Sequence, residues 1–275
     1  MKKSLPSQAG QVVLVILLVV SVILVVGLSA VSLSVTDIKL SQQSQESARA
    51  LYIAQAGLEK AIRANADVSG EDSSLSVEYS VVKEDLGNSD VFVFPDAFEA
   101  GDGISFWFLP HNPDGSLDTT YNPPNRFSIA WGESDTNTAL EATVIYQFAG
   151  SFYTQRYVYG PDNFNGEPTG FTPSAGPLAF GGKNFLSSSG EISFPAGAVP
   201  YLMQLRLLFN SSPQFIGVRS GDSADFPQQG SCFTATATVP ESGITRKLEQ
   251  CQLWPTVPTI FNYLLFSEGS IGGGI

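Results

Sequence analysis

The sequence predicts an α+β chain: a long N-terminal helix, transmembrane and then amphipathic, followed by a β-rich extracytoplasmic head. Three observations predict it. From Gln11 to Val35 no residue is charged, and Val, Leu and Ile dominate. At about 1.5 Å rise per residue this run reaches about 37 Å, enough to cross a hydrocarbon core of about 30 Å with some tilt. Between Pro6 and Pro95 there is no proline, so nothing interrupts a helix that continues past the apolar run. After Gly70 short apolar or alternating runs are separated by Gly, Pro, Asn and Asp clusters, the pattern of strands and turns.

The first ten residues form a basic leader with Lys2 and Lys3, and positive charge flanking an apolar span stays on the cytoplasmic side. A secretory signal would have an apolar core of only about 7–15 residues, so this run reads as an anchor. Downstream, Leu51, Ala54, Leu58 and Ile62 recur at helical spacing, with Gln42, Gln43, Gln45, Glu46, Arg49 and Lys60 on the other side. One nearly continuous helix is expected from Gln11 to about Ala66, ended by Ser69-Gly70. Its stripe is expected to dock the head. Gly27, Ser29, Ser32 and Ser34 form its weakest stretch, as small residues suited to packing in a membrane. The expected organisation is therefore a leader (1–10), a transmembrane half (11–35), an amphipathic half (36–68), a β-rich head (70–200) and a C-terminal β section with a hairpin and tail (201–275).

In the head, strands are expected at Leu75–Val82, Gly103–Phe108, Arg126–Trp131, Ala139–Phe148, Phe152–Tyr159, Tyr201–Phe209, Phe215–Val218, Ser231–Val239 and Thr245–Leu253. Hairpins are expected around Ala149-Gly150 and around Pro240-Glu241-Ser242-Gly243. The stretch from Gly160 to Pro200, rich in Gly, Pro, Ser and Phe, reads as a long loop or hinge. Opposing residues of a hairpin share a constant index sum. A turn at Glu241-Ser242 pairs Thr238 with Thr245 and sets Cys232 opposite Cys251, where Cβ atoms lie about 4.5–5.5 Å apart. A disulfide between these two, the only cysteines, is expected outside the membrane.

Charge and residue inventory narrow the function. The chain carries a net −12, and residues 11–67 balance, so removing the +2 of the leader leaves −14 on residues 68–275. Such a head repels a phosphate backbone and is not expected to bind nucleic acid by charge. There is no Gly-x-Ser-x-Gly elbow, phosphate loop, dinucleotide fingerprint or metal-spaced His/Cys cluster, so neither enzymatic activity nor a cofactor or metal is expected. His111, the one histidine, sits in a turn sequence, His-Asn-Pro-Asp-Gly. Asn112, Asp114, Ser116 and Asp118, and separately Asp162, Asn163, Asn165 and Glu167, could hold calcium, but turn chemistry accounts for both sets. Phe164, Phe171, Phe180 and Phe185 could form an adhesive surface or a buried one.

Two stretches carry a resemblance. Gly10 directly abuts Gln11 and the apolar run, with two lysines upstream. Ala48-Arg49-Ala50-Leu51-Tyr52-Ile53-Ala54-Gln55-Ala56-Gly57-Leu58-Glu59-Lys60-Ala61 is an alanine-rich stretch ending in Ala-Gly-Leu-Glu. Together they cover about the first quarter of the chain, and together the chain resembles type IV pilins and pseudopilins, more narrowly minor pilins of the PilX type. The resemblance implies cleavage by a prepilin peptidase between Gly10 and Gln11, N-methylation of Gln11, and a helix motif at Ala54, Ala56, Gly57, Leu58 and Glu59. It also implies assembly with other pilin subunits and the pilus machinery, from the inner membrane into a cell-surface filament. A turn, a strand with Arg246 and the Pro258–Ser267 segment are similar to the closing region of some PilX-like proteins. The chain departs from major pilins in three places: Gln11 where an aromatic begins the mature chain, Val15 where a Glu stands, and Gln55 where an acid is frequent. A carboxylate buried without its partner amine is costly, so Val15 points to a low-copy subunit. The alternative is an uncleaved membrane-anchored envelope adhesin or surface protein.

Overall fold

The computed structural model describes residues 9–135 and 137–255. The leader lysines Lys2 and Lys3, the Pro258–Ser267 segment and the glycine-rich tail lie outside the described residues. One helix, α1, runs from Ala9 to Ala64. The strands that follow are β1 (Val68–Asp72), β2 (Val77–Leu86), β3 (Val91–Val93), β4 (Gly103–Trp107), β5 (Arg126–Trp131), β6 (Ala139–Phe148), β7 (Ser151–Gly160), β8 (Asn163–Phe164) and β9 (Glu167–Pro168). Then come β10 (Thr172–Pro173), β11 (Leu178–Phe180), β12 (Lys183–Phe185), β13 (Ser187–Ser193), β14 (Val199–Leu208), β15 (Ile216–Ser220), β16 (Gly230–Val239) and β17 (Ile244–Leu253). The chain is thus α+β, one long apolar N-terminal helix followed by a β-rich region. It divides into two units, residues 1–82 with 234–249, and residues 83–233 with 250–275.

In the first unit α1 has two halves with different surroundings. From Val13 to Leu40 its large side chains are exposed: Val15 58%, Ile23 65%, Leu33 66%. The few polar groups there turn inward on the helix itself. Ser21 donates to the Leu18 carbonyl, Ser29 to Val25 and Thr36 to Ser32. That satisfies hydroxyls without water, as an apolar surrounding demands. The helix passes Gly27 unbroken. Its second half carries a buried face of Ala50, Ile53, Ala54, Gly57, Leu58 and Ala61. The expected stripe was centred off this face: Leu51 is 39% exposed. Alanine and glycine set the face because the approach to the sheet is close.

The helix ends earlier than Ser69-Gly70, which instead lie in β1. Asn65 takes the left-handed conformation (φ 50°), Ala66 N–H bonds the Ala61 carbonyl and Asn65 N–H bonds Ile62. This is a Schellman ending, with asparagine in the position that glycine commonly fills.

A four-stranded sheet, in the order β1-β2-β16-β17, follows. Its outward side is polar or exposed, with Val82 56% exposed and Lys247 and Glu249 exposed. The hairpin β16–β17 has the expected register: Thr238 and Thr245 hydroxyls are 2.9 Å apart, and Cys232 and Cys251 form a disulfide with Cα atoms 3.9 Å apart.

The second unit has two larger sheets that share one core, and two two-stranded ones, β8-β9 and β11-β12. The five-stranded sheet runs β10-β7-β6-β14-β4 and the four-stranded sheet β13-β5-β15-β3. The core takes Phe127, Ile129 and Trp131 from β5, Leu140, Ala142 and Val144 from β6, Met203, Leu205 and Leu207 from β14, and Phe92, Phe94, Phe106 and Phe226 besides. Edge-to-face pairs such as Phe106 on Phe226, centroids 5.0 Å apart, order these rings. The β6–β7 hairpin closes on Ala149 and Gly150, both with positive φ, the turn whose twist matches the strands.

Two expectations are corrected here. The stretch from Gly160 to Pro200 is not a loop: it contains β13, paired with β5 from Ser187 to Trp131 onward, and short strands besides. Ser187-Ser188-Ser189-Gly190 has no apolar alternation, and only the partner strand makes it a strand. Nor does a section begin at residue 201, because β14 lies inside its sheet, between β6 and the edge strand β4.

Removing the disulfide by Cys232→Ser with Cys251→Ser is expected to cost about 3 kcal/mol, the loop-closure term for a span of this size, read by denaturant unfolding. Reduction of the intact chain should add the mass of two hydrogens; an unchanged mass would show free thiols.

Candidate functional site

The helix motif is placed by its contacts with β2. An ideal Cβ at Gly57 would lie 2.6 Å from Tyr79 Cδ2 and 3.3 Å from Val81 Cγ2. Glycine is there because the Tyr79 ring occupies the space a side chain would need. Gly70, opposite Tyr79 in the β1–β2 register, closes on the same ring, its Cβ position 3.0 Å from the tyrosine hydroxyl. Lys60 donates to the Tyr79 hydroxyl at 3.1 Å and stands 5.3 Å from the ring centroid. Ser47, about three turns nearer the apolar half, receives Arg246 from β17 at 2.8 and 2.5 Å.

Of the motif, Ala54, Gly57 and Leu58 are buried, Ala56 is half-buried and Glu59 is exposed. Tyr52, 67% exposed, and Gln55 share the outer side. The motif thus divides into a docking row and a free row. Gly10 and Gln11 lie in the first turns of α1, and Val15 on its exposed apolar surface.

The other predicted residues scatter. Asp114 accepts from Ser116 N–H at 2.9 Å and from its hydroxyl at 2.6 Å, and Asp118 does the same with Thr120. These bonds hold both carboxyls below their usual range, the Ser116 and Thr120 hydroxyls being the main cause. Asn165 and Gly166, both with positive φ, close the small β8–β9 hairpin that holds the second set. The first set is spent on turn hydrogen bonds, and the second lies along the hairpin. Of the four loop phenylalanines, Phe185 is buried, Phe180 packs on it at 5.1 Å, and Phe164 and Phe171 stack on Phe209 at 4.1 and 5.9 Å. They divide between core and a small surface stack.

His111 is less plain than its turn sequence indicates. It stacks on Trp254 at 4.4 Å and meets Trp107 edge-on at 4.6 Å. Burial between the two indoles pushes its pKa down.

Sequence reasoning missed one cluster. Glu141 on β6 is buried and receives Arg156 Nε at 2.5 Å and Arg206 Nη2 at 2.5 Å. Beside it on β14 stands Gln204, 6% exposed, whose amide nitrogen and oxygen have no hydrogen-bond partner. Alternation along Ala139–Phe148 does set Glu141 and Thr143 opposite the core face, but nothing in one strand reveals the guanidiniums that β7 and β14 bring.

No family model matches the chain, and no curated protein matches it significantly.

Gly57→Val is expected to destabilise the first unit by about 2 kcal/mol through overpacking against Tyr79, and Tyr79→Ser should recover part of that loss. Ordinary helix propensity makes removal of a mid-helix glycine favourable, so the sign of the change, read by thermal unfolding in detergent, is decisive. His111 should titrate below the usual 6.5. Because its folded pKa is depressed, the stability it contributes is complete above the unfolded pKa and falls as pH drops towards the folded pKa. Its ring signals followed by NMR from pH 8 to 4 check this; a midpoint above 6.5 would contradict it.

Proposed function

We propose that the chain is a minor, low-copy type IV pilin or pseudopilin, an assembly subunit of a cell-surface filament. The observation that carries this reading is α1 itself: one unbroken helix whose first half is apolar and exposed from Val13 to Leu40 and whose second half docks a β sheet through Ala54, Gly57 and Leu58. An apolar surface of that extent must meet lipid or other apolar helices. The outer row of the second half, with Tyr52, Gln55 and Glu59, remains free for neighbours. A prepilin peptidase cuts between Gly10 and Gln11 at the cytoplasmic face, the new amine of Gln11 is methylated, and the helix passes from the inner membrane into a bundle with other pilins. Val15 leaves no carboxylate to pair with a neighbour's amine, which favours a place where that contact is not needed. The protein is a substrate of processing and binds no cofactor in this reading.

The second reading is an uncleaved envelope adhesin that keeps α1 as a static anchor. It is favoured by the same exposed apolar half, together with the absence of the family carboxylate at Val15.

The intact mass and N-terminal sequence of the protein from its own envelope separate the two. A start at Gln11 with the mass of one added methyl group is expected. A start at Met1 establishes the static anchor, and a start beyond Ser32 removes both.

A further inference from the structure

The five-stranded sheet has two edges, and they end differently. At β4 the last residue is capped. The Gln229 side chain clasps Trp107, its Oε1 accepting from the backbone N–H and its Nε2 donating to the carbonyl, both at 2.8 Å. At β7 the edge is open. Beyond it lies only β10, which pairs Thr172 with Tyr159 and Pro173 with Gly160. From Ser151 to Val158 no described strand pairs with the outer side of β7, and Ser151–Arg156 is exposed throughout.

The hairpin turn shows which groups are open. Phe148 and Ser151 flank a two-residue turn, so they form a hydrogen-bonded pair, and bonded pairs recur at every second residue. Ser151, Tyr153 and Gln155 therefore spend their N–H and C=O groups on β6. Phe152, Thr154 and Arg156 turn theirs outward, and past them β10 begins to close the edge.

Free edges are ordinarily guarded by lysine, proline or a bulge. β7 has none of these: it reads Ser-Phe-Tyr-Thr-Gln-Arg-Tyr-Val-Tyr-Gly, and its register with β6 is unbroken. Its one charge, Arg156, is held by Glu141. Glu141 is also the only acid between Leu140 and Gly160, so the acidity of the region does not reach this edge.

We propose that β7 pairs with β7 of a second copy of the chain, antiparallel about a two-fold axis at Thr154, so that one sheet continues across two molecules. The open row fixes the centre, because Thr154 is its middle member. Thr154 then faces the partner's Thr154, and Phe152 faces the partner's Arg156 on both sides of the axis. Phe152, 60% exposed and held edge-on to Tyr201 at 5.2 Å, presents its ring to a guanidinium that stays on Glu141. Neighbouring centres fit worse. At Gln155 the axis would bring Phe152 onto Val158, beside β10; at Arg156 it would oppose two guanidiniums; at Tyr153 it would leave Arg156 opposite the turn. One strand pair buries less than the ~800 Å² per partner of a stable complex, so the dimer is weak and concentration-dependent. The pairing stands whether or not the protein is a pilin.

The test is sedimentation velocity of the full chain in detergent over rising concentration. Passage from monomer to dimer is expected; a monomer throughout overturns the proposal. Thr154→Pro removes one outward N–H and no bond to β6, and Thr154→Lys sets two ammonium groups face to face. Each should weaken the dimer at least about tenfold. A dimer that persists in both variants is held elsewhere, as by the exposed half of α1, and overturns the proposal too. If the variants do not fold, p-benzoylphenylalanine in place of Phe152 decides the matter in a mixture of light and isotope-labelled chains. Adducts joining a light to a labelled chain within β7 are expected. Adducts confined to one chain, or made only to other segments, overturn it.

Discussion

The structure depends on one helix satisfying two surroundings. From Val13 to Leu40 nothing in the described chain covers α1, and its serine and threonine hydroxyls bond its own carbonyls. From Ala50 to Ala61 the same helix presents small residues to a sheet. A long helix of this kind gains little from propensity alone, and each half relies on what it packs against. The contact that holds the second half is tight rather than large. Gly57 admits the Tyr79 ring, Gly70 admits it from the other side, and Lys60 fixes its hydroxyl.

That contact gives the alanine-rich motif a physical meaning. Ala54, Gly57 and Leu58 belong to docking, while Tyr52, Gln55 and Glu59 remain outside. A motif on one helix thus specifies both how the sheet sits on it and which row stays exposed. The hairpin β16–β17 contributes from the far end of the chain: its strands complete the sheet order, Arg246 reaches Ser47, and the Cys232–Cys251 bridge locks the register. Entropy supplies the reason for the bridge. A two-stranded ribbon at the edge of a sheet is marginal by itself, and the cross-link removes the freedom of its unfolded form.

The second unit shows a different balance. Its core is built from phenylalanines that order one another edge to face, while polar groups are resolved locally. Asp114 and Asp118 close turns, and Gln229 serves as a strand partner for Trp107. The Glu141 cluster departs from this economy. Two guanidiniums hold one largely buried carboxylate, with Arg156 itself half exposed. Such a group is expensive to bury without partners and informative where it occurs.

The sequence by itself determined the elements with a strong period. The charge-free run and the missing prolines fixed α1 within two residues at each end. Alternation fixed Arg126–Trp131 and Ala139–Phe148, and the index sum of the hairpin fixed the cysteine pair. These are local properties, carried by neighbours along the chain. Tertiary structure alone decided the rest. Asn65 replaced Ser69-Gly70 as the helix stop because the chain had to turn into β1 there. Ser187–Ser193 became a strand because β5 offered it an edge. The docking face includes Gly57 because the Tyr79 ring fills the space a side chain there would need. Glu141 met Arg156 and Arg206, and His111 met Trp107 and Trp254, only because strands distant in sequence lie side by side. Periodicity reports which way a side chain points; only the packed sheets decide what it meets.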